Sequence, residues 1–144
     1  MQKEQIFEVL NKNPVFFLAT SENGEPRVRG MMLYKADKDG IVFHTGPFKD
    51  VYRQIVKSPS VQMCFYDYAQ NVQVRVRGTL EKSDDIKLKE EIAAHPSRAF
   101  MQGWKAGKTL AEFYDMFSVF RLKNGKANIW TFQTNFAPKE DIIL

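Results

Sequence analysis

Cysteine is almost missing from this chain. Cys64 stands alone among 144 residues, so no internal disulfide can form, which fits a reducing compartment. In a strand and without a CxxC partner, it reads as a small buried side chain. Histidine is nearly as scarce: His44 and His95 are the whole supply, too few to build a metal cluster, and no metal is expected. No stretch approaches the ~18 apolar residues of a membrane span. The opening MQKEQIFEVLNKNP is too polar for a signal peptide. A soluble cytoplasmic protein is the expectation. GxSxG, HExxH, P-loop and GxGxxG patterns are all lacking, which leaves hydrolase and Rossmann readings without support.

What is abundant is phenylalanine, with 12 copies in a chain that is 44% apolar and 26% charged. So many rings in one small domain, residues 1–144, point to a packed interior, an interface or a flat aromatic ligand. The net charge of +4 favours anionic partners only weakly, because 17 acidic residues are interspersed with 21 basic ones.

Hydrophobic spacing predicts a helix over 3–11 with Ile6, Phe7 and Leu10 on one face. Strands are expected over Val15–Thr20, Arg27–Lys35 and Ile41–Thr45, joined by turns into a meander. A helix over Phe48–Lys57 should turn Val51, Ile55 and Val56 inward. The clearest strand is Val72–Glu81, with Val72, Val74, Val76 and Leu80 opposite Gln73, Arg75, Arg77 and Thr79. Ser83 reads as the N-cap of a helix ending near His95, itself a partner for that helix's C-terminal dipole. Residues 97–115 show no clear period beyond a short helix near Leu110–Met116. Phe117–Leu122 and Ala127–Phe132 read as a closing hairpin. About seven hairpin-linked strands with flanking helices predict a mainly β (α+β) fold, an antiparallel sheet or barrel.

Four places could carry chemistry. Thr45-Gly46-Pro47-Phe48-Lys49 lies where a strand becomes a helix; a hydroxyl, a lysine and free N–H groups there suit a phosphate, with Arg53 one turn on. The same string also reads as an ordinary connection with a solvated lysine. Arg27 and Arg29 share one strand face, and Gly30 permits close backbone approach, although a wetted sheet face would look the same. Gln73, Arg75 and Arg77 repeat that character, as an edge strand blunted by charge also would. Trp130 is either core or a surface for stacking.

Taken in order, the GxPxxR turn (Gly24, Pro26, Arg29), FHTGPFKDVYRQI, SPSVQMCFYD, QVRVRGTLE and the late NIW resemble the pyridoxamine 5'-phosphate oxidase-like FMN-binding split-barrel family. The resemblance runs from about Asn13 to Phe132, and FHTGPFKDVYRQI is most similar to the nitroimidazole-resistance branch. It implies a Greek-key split barrel that dimerises with FMN at the interface. Arg29, Gly30, Met31, Met32, Leu33 and Tyr34 would run along the flavin and ribityl chain. Thr45 and Lys49 would hold the phosphate, Gln73 would reach the flavin, and Trp130 would approach it across the dimer. His44 would touch cofactor or substrate and is the one candidate proton donor. The chain departs from the vitamin oxidase after its tryptophan: Thr131 to Phe136 contain neither the arginine nor the histidine that grip pyridoxal phosphate, so that activity is not expected. Phe48 also replaces a basic residue before Lys49.

The resulting expectation is an FMN-dependent oxidoreductase, a homodimer passing electrons from NAD(P)H to a small acceptor such as a nitroaromatic. The alternative is a flavin- or haem-binding storage or sensor protein without turnover. A nucleic-acid-binding barrel lacks an RNP-like aromatic strand motif.

Overall fold

The computed structural model describes all 144 residues. β1 (Val15–Glu22) and β2 (Glu25–Met32) form a hairpin over Asn23-Gly24, at φ of 53° and 81°. That left-handed geometry is what tight hairpins demand and Asn-Gly supplies. Pairing of β2 with β1 ends at Met32↔Val15. Leu33 N then donates to Pro14 O and Tyr34 N to Val42 O, and β3 (Lys35–Asp37) pairs with β4 (Gly40–Thr45). The strand expected over Arg27–Lys35 is therefore two strands with different partners. The expected meander does not form, because β4 pairs with β3 and β7 (Ser118–Leu122) and not with β2, while β1 takes β5 (Ser60–Asp67) on its other edge.

The long β6 (Val72–Ser83) changes partner in the same way. Val72 to Arg77 pair with β8 (Lys126–Thr131), and Leu80 to Ser83 pair with β7 (Ser118–Leu122). So β7 and β8 are not the closing hairpin expected from their spacing. The chain crosses between them at Gly125, where a Cβ would lie 2.5 Å from Leu122 Cδ2 and 2.8 Å from Val76 Cγ1. The main path is β2-β1-β5-β6-β7-β4-β3, with β8 on β6 and the two-residue β9 (Ile142–Ile143) on β8. The product is the expected antiparallel, helix-flanked split barrel.

Phenylalanine fills it. Phe16 stacks on Phe65 at 4.8 Å and meets Phe43 edge-on at 5.7 Å, and Phe43 lies against Phe120. All four are fully buried, each contributing about 1.5–3 kcal/mol by removal from water. α1 (Lys3–Lys12) buries Ile6, Val9 and Leu10, with Phe7 only half-covered. α2 (Asp50–Lys57) begins two residues later than expected, with Lys49 as N-cap. It buries Val51, Gln54 and Ile55, while Val56 faces outward.

A second cluster sits on the other side of β4, formed by Val42, Leu88, Ile92, Met101, Phe113 and Phe117. It is built by α3 (Ile86–Ala94), a 3-10 segment (Pro96–Lys105) kinked at Arg98, and α4 (Leu110–Tyr114). The cap of α3 is Asp85, whose carboxylate accepts from the Lys87 and Leu88 N–H groups; Ser83 still belongs to β6. His95 caps the 3-10 segment by accepting from Ser97 N. With both faces of β4 covered, that strand is buried almost throughout, and its C-terminal end opens the site.

Candidate functional site

Thr45 ends β4, and Gly46-Pro47-Phe48-Lys49 carries the chain into α2. A cleft of about 370 Å³ opens here, walled by Gly30, Met31 and Met32 of β2, by His44, Thr45 and Lys49, and by Arg98 and Phe100 of the 3-10 segment. A neighbouring cavity of about 420 Å³ shares His44, Thr45, Lys49 and Phe100, and adds Phe48, Trp104 and Phe117. No carboxylate lines either space.

Three features give this cleft its chemistry. Thr45 is only 5% exposed, and its Oγ1 has no hydrogen-bond partner. A buried polar group left this way costs about 1–3 kcal/mol, so its partner has to come from outside the protein, from a ligand or from water. Lys49 adds positive charge at the start of α2, whose first N–H groups receive no side-chain cap. Arg98, only 2% exposed, donates from Nε to His44 Nε2 at 2.9 Å and from Nη2 to Leu33 O at 3.1 Å. An arginine N–H can only donate, so His44 Nε2 carries no proton and the ring is neutral. Burial, followed by the charges of Arg98 and Lys49, lowers the His44 pKa from 6.5 to about 4.

The structure gathers six of the expected residues in one cleft: Gly30, Met31, Met32, His44, Thr45 and Lys49. Others lie elsewhere. Arg29 turns inward, donating to Thr20 Oγ1 at 2.7 Å, to Leu18 O at 3.1 Å and to Gln54 Oε1. Its guanidinium thus ties β1 to α2 and does not border the cleft. Leu33 is core. Tyr34 donates to Glu91 at 2.6 Å, and its ring lies 5.5 Å from the Arg98 guanidinium. Gln73 and Trp130 are register partners on β6 and β8, outside the cleft; Trp130 Nε1 donates to Asn135 at 2.8 Å. Arg53, expected to assist at the phosphate, is engaged by Glu22 at 2.6 Å and Asp50 at 2.8 Å. Cys64 is half-buried on the outer sheet face rather than in the core, with its thiol pKa raised by burial. Arg98, Phe100 and Trp104 came from the stretch without clear period. The one local signal there was Pro96, favoured at a helix's first turn, directly after a capping residue.

A family model described as pyridoxamine 5'-phosphate oxidase matches residues 2–130. The chain belongs to that family. A pyridoxine/pyridoxamine 5'-phosphate oxidase of Brucella anthropi is 30% identical over 92 residues, covering 64% of this chain and 45% of that protein. The chain thus spans less than half the length of the curated relatives it matches. Among solved structures, a NimC/NimA family protein from Clostridium acetobutylicum superposes with a TM-score of 0.75 at 20% identity, covering 98% of this chain and 92% of that one. A pyridoxamine 5'-phosphate oxidase-related, FMN-binding protein from Nostoc punctiforme does so with a TM-score of 0.68 at 23% identity, covering 96% and 87%. These similarities establish the fold. The residues present fit a phosphorylated flavin, because the buried hydroxyl of Thr45 and the two cations Lys49 and Arg98 line one cleft that holds no carboxylate.

Proposed function

We propose that this chain is an FMN-dependent oxidoreductase that moves electrons from NAD(P)H to a small acceptor such as a nitroaromatic. The observation that carries the reading is the unpartnered, buried Thr45 Oγ1 beside Lys49 in a cleft without carboxylates. Thr45 and Lys49 would hold the phosphate, as helix-start and hydroxyl donors hold anions generally. The open strand Gly30–Met32 would lie along the ribityl chain and ring. A bound flavin supplies the redox chemistry, and the protein supplies position and electrostatics. His44, neutral and already accepting from Arg98, is a fixed wall of that site rather than a proton donor. Thr131–Phe136 is a turn closed by a Thr134 N to Thr131 O bond, with no arginine or histidine to grip pyridoxal phosphate. A specialised acceptor other than that vitamin is therefore favoured.

The working unit in this reading is a homodimer. The outer face of the β2-β1-β5 sheet exposes Val15, Phe17, Val28 and Met32, a continuous apolar patch for which a second copy is the natural cover. Val15 also borders the cleft. Gln73 and Trp130 follow on the same face, since Tyr66 pairs with Gln73 and Gln73 with Trp130. They would meet the partner's cofactor. Haem ligation through the cleft histidine is disfavoured, because His44 Nε2 already accepts from Arg98.

The test is an absorption spectrum of purified protein before and after loading with FMN and desalting, followed by steady-state turnover with NADPH and a nitroaromatic. Retained flavin bands and acceptor-dependent NADPH loss are expected. Retained flavin without turnover would favour a storage or sensing role. No retained flavin would end the reading.

A further inference from the structure

Arg98 carries a charge that no carboxylate balances; the Tyr34 ring, 5.5 Å from its guanidinium, is neutral. Its side chain donates to four neutral acceptors: His44 Nε2 at 2.9 Å, Ser97 Oγ at 3.1 Å, Leu33 O at 3.1 Å and Met32 O at 3.4 Å. It makes no ion pair, in contrast to Arg53 and Arg77, which face carboxylates. Four of the five N–H groups of the guanidinium are used, and one on Nη1 is free. Burying a cation without a counter-charge is expensive unless an anion completes the site. Arg98 is also a wall of the cleft that holds the unpartnered Thr45 hydroxyl and Lys49. Both cations act on the same ring: Lys49 and Arg98 each lower the proton affinity of His44, the residue next to Thr45. Phe48 brings no charge to this loop, and Arg53 is engaged elsewhere.

Resting on the flavin reading above, we infer that Arg98 is the second cation of the phosphate seat, so that the cleft selects a phosphorylated flavin over the uncharged nucleoside-like form, riboflavin. The backbone explains how the residue arrives there. Arg98 sits at the kink of the 3-10 segment with φ −113° and ψ 21°. Its bonds to Met32 and Leu33 clamp that segment against the end of β2. A phosphate at Thr45 and Lys49 would tie the β4–α2 loop to the 3-10 segment through one anion. Arginine suits the task better than lysine, because its fork can hold His44 and the two carbonyls while still presenting an N–H to the anion.

The experiment is fluorescence titration of flavin-free protein with FMN and, separately, riboflavin, for wild type, Arg98→Lys and Arg98→Gln. Wild type is expected to prefer FMN, with the preference shrinking as salt rises. Arg98→Gln should weaken FMN binding roughly tenfold or more while leaving riboflavin within about twofold, and Arg98→Lys should recover part of the loss. A parallel fall for both ligands would make Arg98 a structural clamp and overturn the inference. So would a wild type that binds both flavins equally, a result that needs no variant to fold. A wild type that binds neither flavin would instead sink the flavin reading itself.

Discussion

The Nε–H of Arg98 and the Nε2 of His44 lie 2.9 Å apart, and that bond holds the imidazole neutral with its proton on Nδ1. Protonating His44 means breaking the bond and placing a second charge beside Arg98 and Lys49. The folded-state pKa near 4 lies below the ordinary 6.5, so the unfolded chain takes up this proton first. Stability from His44 is then complete above about pH 6.5, declines as pH falls toward 4, and levels off below. Melting temperatures from pH 8 to 4 should show that decline in wild type and lose part of it in His44→Gln, which keeps an acceptor for Arg98. Identical slopes in the two proteins would contradict the neutral-histidine assignment.

Thr45→Val separates binding from stability by sign. Valine matches threonine in shape and removes a hydroxyl that has no partner in the protein. Without ligand the variant should be as stable as wild type or more so, by up to about 1 kcal/mol, since no hydrogen bond is lost and a desolvated polar group disappears. Its FMN affinity should fall. Chemical denaturation and flavin titration read the two effects separately. A destabilised ligand-free variant would mean that the hydroxyl already has a partner, such as ordered water.

Two kinds of information were legible in the residues to different degrees. The alternation of Val72, Val74 and Val76 with Gln73, Arg75 and Arg77 located β6, because one of its faces is core and the other is not. Thr45–Lys49 stood out because Gly46-Pro47 interrupts a strand just before helical spacing begins. What could not be read is which edge a strand bonds to. β2 hands over to β3 at Leu33-Tyr34, and β6 divides between β8 and β7 near Gly78, with no break in local pattern. Arg98 was hidden for another reason. A kinked 3-10 segment has no 3.6-residue period, and an arginine within it reads as solvated until the fold closes over it.

Gly125 marks the crossing between β7 and β8, and its lack of a side chain is a packing requirement. A Cβ there would press on Leu122 and Val76, both core residues with little room to move. Gly125→Ala should cost about 1–3 kcal/mol, the usual penalty for overpacking. Gly30→Ala provides the contrast, because nothing lies within 4 Å of its added Cβ. It should leave the ligand-free protein unchanged within about 0.5 kcal/mol, as expected for an open site. Equal urea midpoints for the two variants would refute the crossing as a tight point.

Val28 tests the dimer without touching the cleft or the core. It is 69% exposed on the outer face of β2, pairs with Ala19 of β1, and borders neither cavity of the site. A charge there meets water in an isolated chain and is nearly harmless. In a dimer closed over this face, a two-fold axis brings each new charge under the partner without a counter-ion, a costly burial on both sides. Val28→Glu should therefore sediment as a folded monomer, while wild type sediments as a dimer. Flavin retention should fall with it, because Gln73 and Trp130 of the second copy would no longer reach the ring. A monomeric wild type, or a Val28→Glu variant that remains dimeric, would show that the apolar face serves something other than self-association.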